Sequence, residues 1–396
     1  MSASARHALS RALDDKRVLV VCGSGGVGKT TTAAALGVQA ARRGRRTLVC
    51  TIDPSRRLAT SLGLDRLPDR PRRLDLDRVA PDRDARGALW AMTLDTKRTF
   101  DALVTKYAAT EAARRRILDN RFYKQVSSAL AGSHEYMAME KLLELVADER
   151  FELVILDTPP TRHALDFLEA PERLMGFLDT GILRWFLKPY FVAGRLTLKV
   201  ATRTGALALK LADSVLGLQF LQDLSEFFLA FEGMYAGFKE RAGRVRALLQ
   251  SSDSGFVLVA SPAPLTLDEA LYFHERLDQG GMPFVAFLVN RVHPDPGHGF
   301  PATRAAADVD DDLAEALVEV FQDQRRLARS DRLSVERLEG RTGEAALLVP
   351  EFDADVHDLR ELKEVGDVIV GSAEEGRRGR ARPRPSRRLA AGGRRR

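Results

Sequence analysis

The chain has 396 residues, 45% of them apolar and 29% charged, which is long enough for a large core and excludes a fibre or a wholly disordered protein. Its net charge of +6 comes from the last twenty residues: Arg377 to Arg396 hold ten arginines and no acid, and without them the remainder stands at −4, so any pull on nucleic acid belongs to a tail. Two cysteines, Cys22 and Cys50, each ending an apolar run, exclude a disulfide framework and a CxxC zinc site, and fit a reducing cytoplasm.

In chain order, residues 1–16 mix Arg, Ser, Ala and Asp without a stretch of signal-peptide length, which predicts a flexible N-terminus and a cytoplasmic chain. Arg17–Cys22 is a short continuous apolar run, the pattern of a strand buried on both faces, and a glycine-rich segment follows at once. Thr31–Arg43 is rich in Ala and Leu and closes at Gly44, a helix with a left-handed cap; Thr47–Ile52 is a second buried strand, completing a βαβ unit. Further apolar runs at Ala88–Leu94, Leu153–Leu156, Phe256–Ala260, Phe284–Val289 and Ala345–Val349 are mostly separated by helical patterns. Thr266, with Glu269 three residues on, reads as a capping box opening a helix that runs to about Gln279 and stops at Gly280-Gly281.

This alternation predicts an α/β fold, one doubly wound and mostly parallel sheet over residues 17–370 whose ligands bind beyond the carboxyl ends of its strands. Residues near 95–147 and near 165–250 read as helices without strands, a helical subdomain inserted into that core. The most hydrophobic region, Phe177 to Phe238, is interrupted by Arg184, Lys188, Pro189, Arg195, Lys199, Lys210 and Asp213, so no transmembrane helix is predicted. Residues 371–396, with little to bury and with Pro383 and Pro385 among the arginines, predict a disordered tail.

Gly23-Ser24-Gly25-Gly26-Val27-Gly28-Lys29-Thr30 satisfies the phosphate-loop pattern G-x-x-x-x-G-K-[ST], and its place between a buried strand and a helix is the arrangement the pattern requires. The backbone N–H groups of Gly25, Gly26, Val27 and Gly28 can wrap a triphosphate, and the helix opening there turns its positive end toward the anion. Lys29 supplies a point charge to the β- and γ-phosphates, Thr30 a hydroxyl to Mg²⁺, and Thr31 can reach the α-phosphate. These residues predict a P-loop NTPase that takes ATP and Mg²⁺.

Asp157-Thr158-Pro159-Pro160-Thr161-Arg162-His163, followed by Leu165, Phe167-Leu168 and Pro171, resembles the D-T-x-P-T-x-H-x-L-x-F-L-x-x-P segment of the ArsA family, which includes arsenite-pump ATPases and ATPases that target tail-anchored membrane proteins. The resemblance makes this the second switch and assigns Asp157 to the Mg²⁺ water shell. Asp53-Pro54, leaving the second strand, is similar to the family's first switch, which implies that Asp53 orients or deprotonates the attacking water; read alone, it is also an Asx-Pro turn. Val289-Asn290 and Pro350-Glu351-Phe352 are similar to the family's adenine-binding segments, which implies that Asn290 bonds the adenine edge while Pro350 and Phe352 pack on the base. Gly132-Ser133-His134-Glu135 is a weaker match to a helix start of the family.

Two departures stand out. Where family members usually carry a lysine that reaches the opposing subunit's phosphates, this chain has Ser24, which supplies no charge; Arg56, Arg57 or a paralogous partner's lysine are the candidate substitutes. An arsenite site needs three soft thiolates, which two cysteines do not provide.

The resemblance thus implies an Mg-dependent ATPase, a homodimer or a heterodimer with a paralogue, switched by nucleotide. Phe177, Leu183, Trp185, Phe186, Tyr190 and Phe191 interleave with basic residues, a pattern suited to a hydrophobic-helix client or a membrane-protein partner as well as to a subdomain core. The alternatives are a ParA-like switch held on DNA by the arginine tail, against which the second-switch residues argue, and a subunit that binds ATP but needs a paralogue to hydrolyse it.

Overall fold

The computed structural model describes residues 2–53, 55–77, 87–126, 133–159, 227, 234–297, 311–352 and 355–371. The first half of the chain runs α1 (Ser2–Asp15), β1 (Val18–Gly23), α2 (Lys29–Arg42), β2 (Arg46–Thr51), α3 (Arg57–Ser61), β3 (Arg72–Leu74) and β4 (Ala88–Thr93). Helices α4 (Thr96–Tyr107), α5 (Glu111–Asp119), α6 (Arg121–Val126) and α7 (Ser133–Ala147) follow, then β5 (Leu153–Asp157). The last part comprises α8 (Tyr235–Gln250), β6 (Ser254–Ala260), α9 (Pro264–Gln279), β7 (Phe284–Val292), α10 (Asp311–Thr342), β8 (Ala346–Pro350) and α11 (Leu359–Val370).

All eight strands join one sheet in the order β3-β4-β2-β5-β1-β6-β7-β8, parallel except where β3 pairs antiparallel with β4 at the edge. The predicted α/β sheet is therefore present, and each strand read from an apolar run lies within two residues of its expected bounds, apart from the longer C-terminal end of β7. The short β3 was not expected, because Arg72-Arg73-Leu74 has neither a run nor an alternation to detect.

Burial on both faces explains the continuous apolar strands. Along β1, Leu19 and Val21 face a layer made with α1, α2 and α11, while Val18, Val20 and Cys22 face the layer under α7, α8, α9 and α10. Among the described residues of 95–147 there are helices and no strand, and α4 to α8 enclose a cluster of their own around Phe100, Tyr123, Met137 and Phe238. Most of the second predicted helical stretch, including Trp185 and its aromatic neighbours, and the tail from 372 onward lie outside the described residues.

Two local expectations are corrected. Residues 1–16 are not a flexible lead: α1 buries Ala5, Leu9, Ala12 and Leu13 against the sheet layer, an i, i+4, i+7, i+8 stripe whose alanines hid it among charges. Thr266 does not cap α9, which starts two residues earlier with Pro264 in its first turn; the Thr266 hydroxyl instead bonds back to the Ser261 carbonyl at 2.8 Å. The helix does end at Gln279, followed by Gly280 and by Gly281 at φ 61°.

Candidate functional site

The sheet order brings the carboxyl ends of β2, β5, β1, β6, β7 and β8 side by side, and the sequence-derived site residues lie along that edge. Between β1 and α2 the loop turns on glycines. Gly23 has φ 149° and passes so close to β6 that a Cβ would sit 2.0 Å from the Val259 carbonyl oxygen; Gly28 caps α2 at φ 95°. Gly25 and Gly26 face solvent at the tip, and Val27 is buried beneath them.

Lys29 and Thr30 occupy the first turn of α2. The buried Lys29 ammonium donates to the Ser24 carbonyl at 2.7 Å, and burial lowers its pKa against the opposing pull of Asp157. Arg57, on α3, is near enough to Lys29 to lower it further. Thr31 follows, partly exposed.

Asp157 is the last residue of β5 and is fully buried. Its Oδ2 accepts from the Thr30 hydroxyl at 2.9 Å and from the Thr51 hydroxyl at 2.8 Å, whereas its Oδ1 has no hydrogen-bond partner. Burial pushes its carboxyl up to about 6, although the Thr51 and Thr30 hydroxyls and Lys29 hold it down. Residues that suit a hydrated divalent cation are hard oxygen donors with unused lone pairs, and Thr30 with Asp157 meets that description.

Asp53 accepts from the Ser55 N–H at 2.9 Å, the Asx-turn geometry, while its own N–H donates to the Thr51 hydroxyl at 3.2 Å. It is near enough to act electrostatically on both Lys29 and Asp157. Pro54, and Pro160 to His163 of the second-switch motif, lie outside the described residues.

On the far side, a bulge between Val289 and Val292 with Arg291 at φ 59° turns Asn290 toward the loop. Its amide nitrogen donates to the Val27 carbonyl at 2.9 Å and would lie 2.3 Å from a Cβ on Gly28. Pro350 ends β8, the Glu351 N–H donates to the Val292 carbonyl at 3.0 Å, and Phe352 is 38% exposed, so it does not fill the core. His293 sits beside them, its ring and N–H both on Asp331 of α10 at 2.8 Å and its Nε2 3.6 Å from Glu351.

One site residue escaped sequence reasoning. Glu269 is not half of a capping box; it accepts the hydroxyl hydrogen of Ser24, the loop residue at the lysine position. The usable signal was topological: β6 neighbours β1, so the first turns of the helix after β6 must abut the loop after β1.

A profile of anion-transporting ATPases, the ArsA type, matches residues 16–330. The chain belongs to that family. Among its relatives, an Aquifex aeolicus protein named for driving an arsenical pump is 26% identical over 298 residues, 70% of this chain and 64% of its own. ATPase GET3C of Arabidopsis thaliana is 25% identical over 300 residues, 71% of this chain and 68% of its own, and ATPase GET3 of Podospora anserina is 29% identical over 158 residues, 40% and 44%. The match thus spans less than two thirds of the Aquifex and Podospora proteins. The loop Gly23–Thr30 and strands β1 to β7 fall inside the matched stretch, while β8 and α11 lie beyond it.

Proposed function

We propose that this member of the anion-transporting ATPase family binds ATP with Mg²⁺ at the Gly23–Thr30 loop and hydrolyses it. The observation that supports this most is the buried Asp157 carboxylate, joined through Oδ2 to Thr30 and Thr51 and keeping Oδ1 free of hydrogen bonds, at a helix start that holds the buried Lys29 and is capped by Gly28. The N–H groups of Gly25 to Thr30 and the positive end of α2 hold the phosphates, and Lys29 exchanges its contact with the Ser24 carbonyl for a phosphate oxygen. Thr30 and Asp157 would hold Mg²⁺, which would supply charge neutralisation for the phosphates. Asp53 orients the attacking water, and its Asx turn fixes the carboxylate within electrostatic reach of Lys29. Asn290, fixed by Val27, together with Pro350 and the exposed Phe352, receives the adenine.

The same reading includes a nucleotide-switched dimer, of this chain with itself or a paralogue, that handles a hydrophobic-helix or membrane-protein client in the cytoplasm. Arsenite is not part of it. The chain's two cysteines, Cys22 and Cys50, are buried with their thiols pushed up to about 12 by desolvation, and they fall short of the three thiolates an arsenite site needs.

A second reading, a subunit that binds ATP but turns it over slowly alone, is favoured by Ser24: it carries no charge and points at a carboxylate, Glu269. Titration calorimetry with ATP, with and without Mg²⁺, followed by single-turnover hydrolysis, tests both. The expected result is Mg-dependent binding that Lys29→Ala abolishes, and hydrolysis that Asp53→Asn lowers by about a hundredfold or more while binding persists. Binding that ignores Lys29→Ala would remove the proposal; binding with no turnover by the single chain selects the second reading.

A further inference from the structure

The phosphate loop is anchored from outside itself on both sides of its tip. On one side Val27 is buried, and its carbonyl accepts from the Asn290 amide of β7 at 2.9 Å. On the other, Ser24 is 7% exposed; its hydroxyl donates to the Glu269 carboxylate of α9, while its carbonyl accepts from the Lys29 ammonium at 2.7 Å. Between these anchors lie Gly25 and Gly26, both exposed, and a Cβ on Gly26, at φ 79°, would meet nothing within 4 Å. Glycines without neighbours lose the most freedom when a ligand orders them. The shape of the tip before a ligand arrives is therefore set by what holds Ser24 and Val27.

Glu269 is itself firmly held. It lies in the second turn of α9, which is opened by Pro264 and joined to β6 by a turn in which the Thr266 hydroxyl donates to the Ser261 carbonyl at 2.8 Å. Leu267 and Ala270 flank it and are buried in the layer that also holds Cys22 of β1 and Leu258 of β6. The half-buried Glu269 carboxylate makes no ion pair among the described residues. Beyond the first turn the helix dipole does little for an acid, and a negative charge beside a loop shaped for phosphates works against the ligand. What Glu269 gives the site is its charge-assisted hydrogen bond to Ser24.

We propose that Glu269 is a positioning residue for ATP binding: through the Ser24 hydroxyl it fixes the start of the phosphate loop, so the glycine tip meets the triphosphate already shaped. Less ordering then remains to be done on binding, and the affinity is higher for it. Glu269 acts here through Ser24 and not on the phosphates themselves. This role rests on the proposed binding of ATP at the Gly23–Thr30 loop.

Titration calorimetry of the full chain with Mg²⁺ and a non-hydrolysable ATP analogue tests it. Glu269→Ala and Ser24→Ala each raise Kd by about tenfold, as ordering one further residue on binding would. The double variant is no weaker than either alone, because both changes break the same bond. Glu269→Gln keeps an acceptor oxygen without the charge and stays within about threefold of the wild type. Without nucleotide, hydrogen exchange at residues 24–28 is faster in Glu269→Ala than in the wild type. A Glu269→Ala affinity equal to or tighter than the wild type's, a Gln variant as weak as the Ala variant, or losses that add in the double variant overturns the inference. If Glu269→Ala loses its folded circular dichroism, Ser24→Ala decides, and an unchanged affinity there overturns it as well. A wild type that takes up no Mg-ATP removes the proposed function and this role with it, whereas binding that needs Lys29 and ignores Ser24 and Glu269 removes this role alone.

Discussion

At the scale of single residues, the site is held in a state that costs the protein stability. Asp157 is buried and its carboxyl raised from 3.8 to about 6, so the folded chain binds a proton that the unfolded chain releases earlier. The sign follows: this group's contribution is most favourable below about pH 4 and is lost as pH rises through about 6. Its conversion to Asn therefore removes a penalty on the order of 2–3 kcal/mol at pH 7. Urea denaturation of Asp157→Asn without nucleotide should show an unchanged or raised midpoint, while calorimetry shows Mg-dependent ATP binding gone. Gly28 is the reverse case, a position with no slack. A side chain there must adopt φ 95° and displace Asn290, so Gly28→Ala should cost about 2–4 kcal/mol in denaturation, with Asn290→Ala in the same chain recovering part of it.

At the scale of elements, the first helix and the two cysteine-bearing strands make separable claims. Helix α1 puts Leu9 and Leu13, both wholly buried, into the layer over the sheet, so Leu9→Ala should lower stability by about 2–4 kcal/mol, read by denaturant midpoint. A merely flexible lead would leave the midpoint unmoved. Strands β1 and β2 hold Cys22 and Cys50, whose thiols are pushed up to about 12 by burial. In the unfolded chain they ionise near 9, so their contribution is intact below that pH and is lost as pH rises toward 12. A thiol reagent at pH 8 should label both only at the rate of global opening, and rapidly once denaturant is added.

At the scale of the whole molecule, one buried ion pair ties the helical cluster together. Arg241 of α8 bonds Glu140 of α7 at 2.9 Å, the two being 10% and 3% exposed, with the Arg241 guanidinium 3.8 Å from the Tyr107 ring centroid. Removing Arg241 takes a buried guanidinium and its ring contact from this cluster, so Arg241→Ala should destabilise by about 3–5 kcal/mol, and hydrogen exchange should show protection lost in α4, α7 and α8 before β1 and β5.

Strand positions, the α2 start and the loop with Lys29 and Thr30 were legible in the sequence because each depends on neighbours a few residues away: continuous apolar runs, a glycine spacing, a cap. The family resemblance supplied Asp53, Asp157 and Asn290 as candidates. Only the tertiary structure decided what those residues touch. Strand order, which no local pattern encodes, put Glu269 against Ser24 and Asn290 against Val27. Burial, a property of the packed chain, raised Asp157, and it enlisted α1, whose short alanine-rich stripe gains energy only once the sheet is there to receive it.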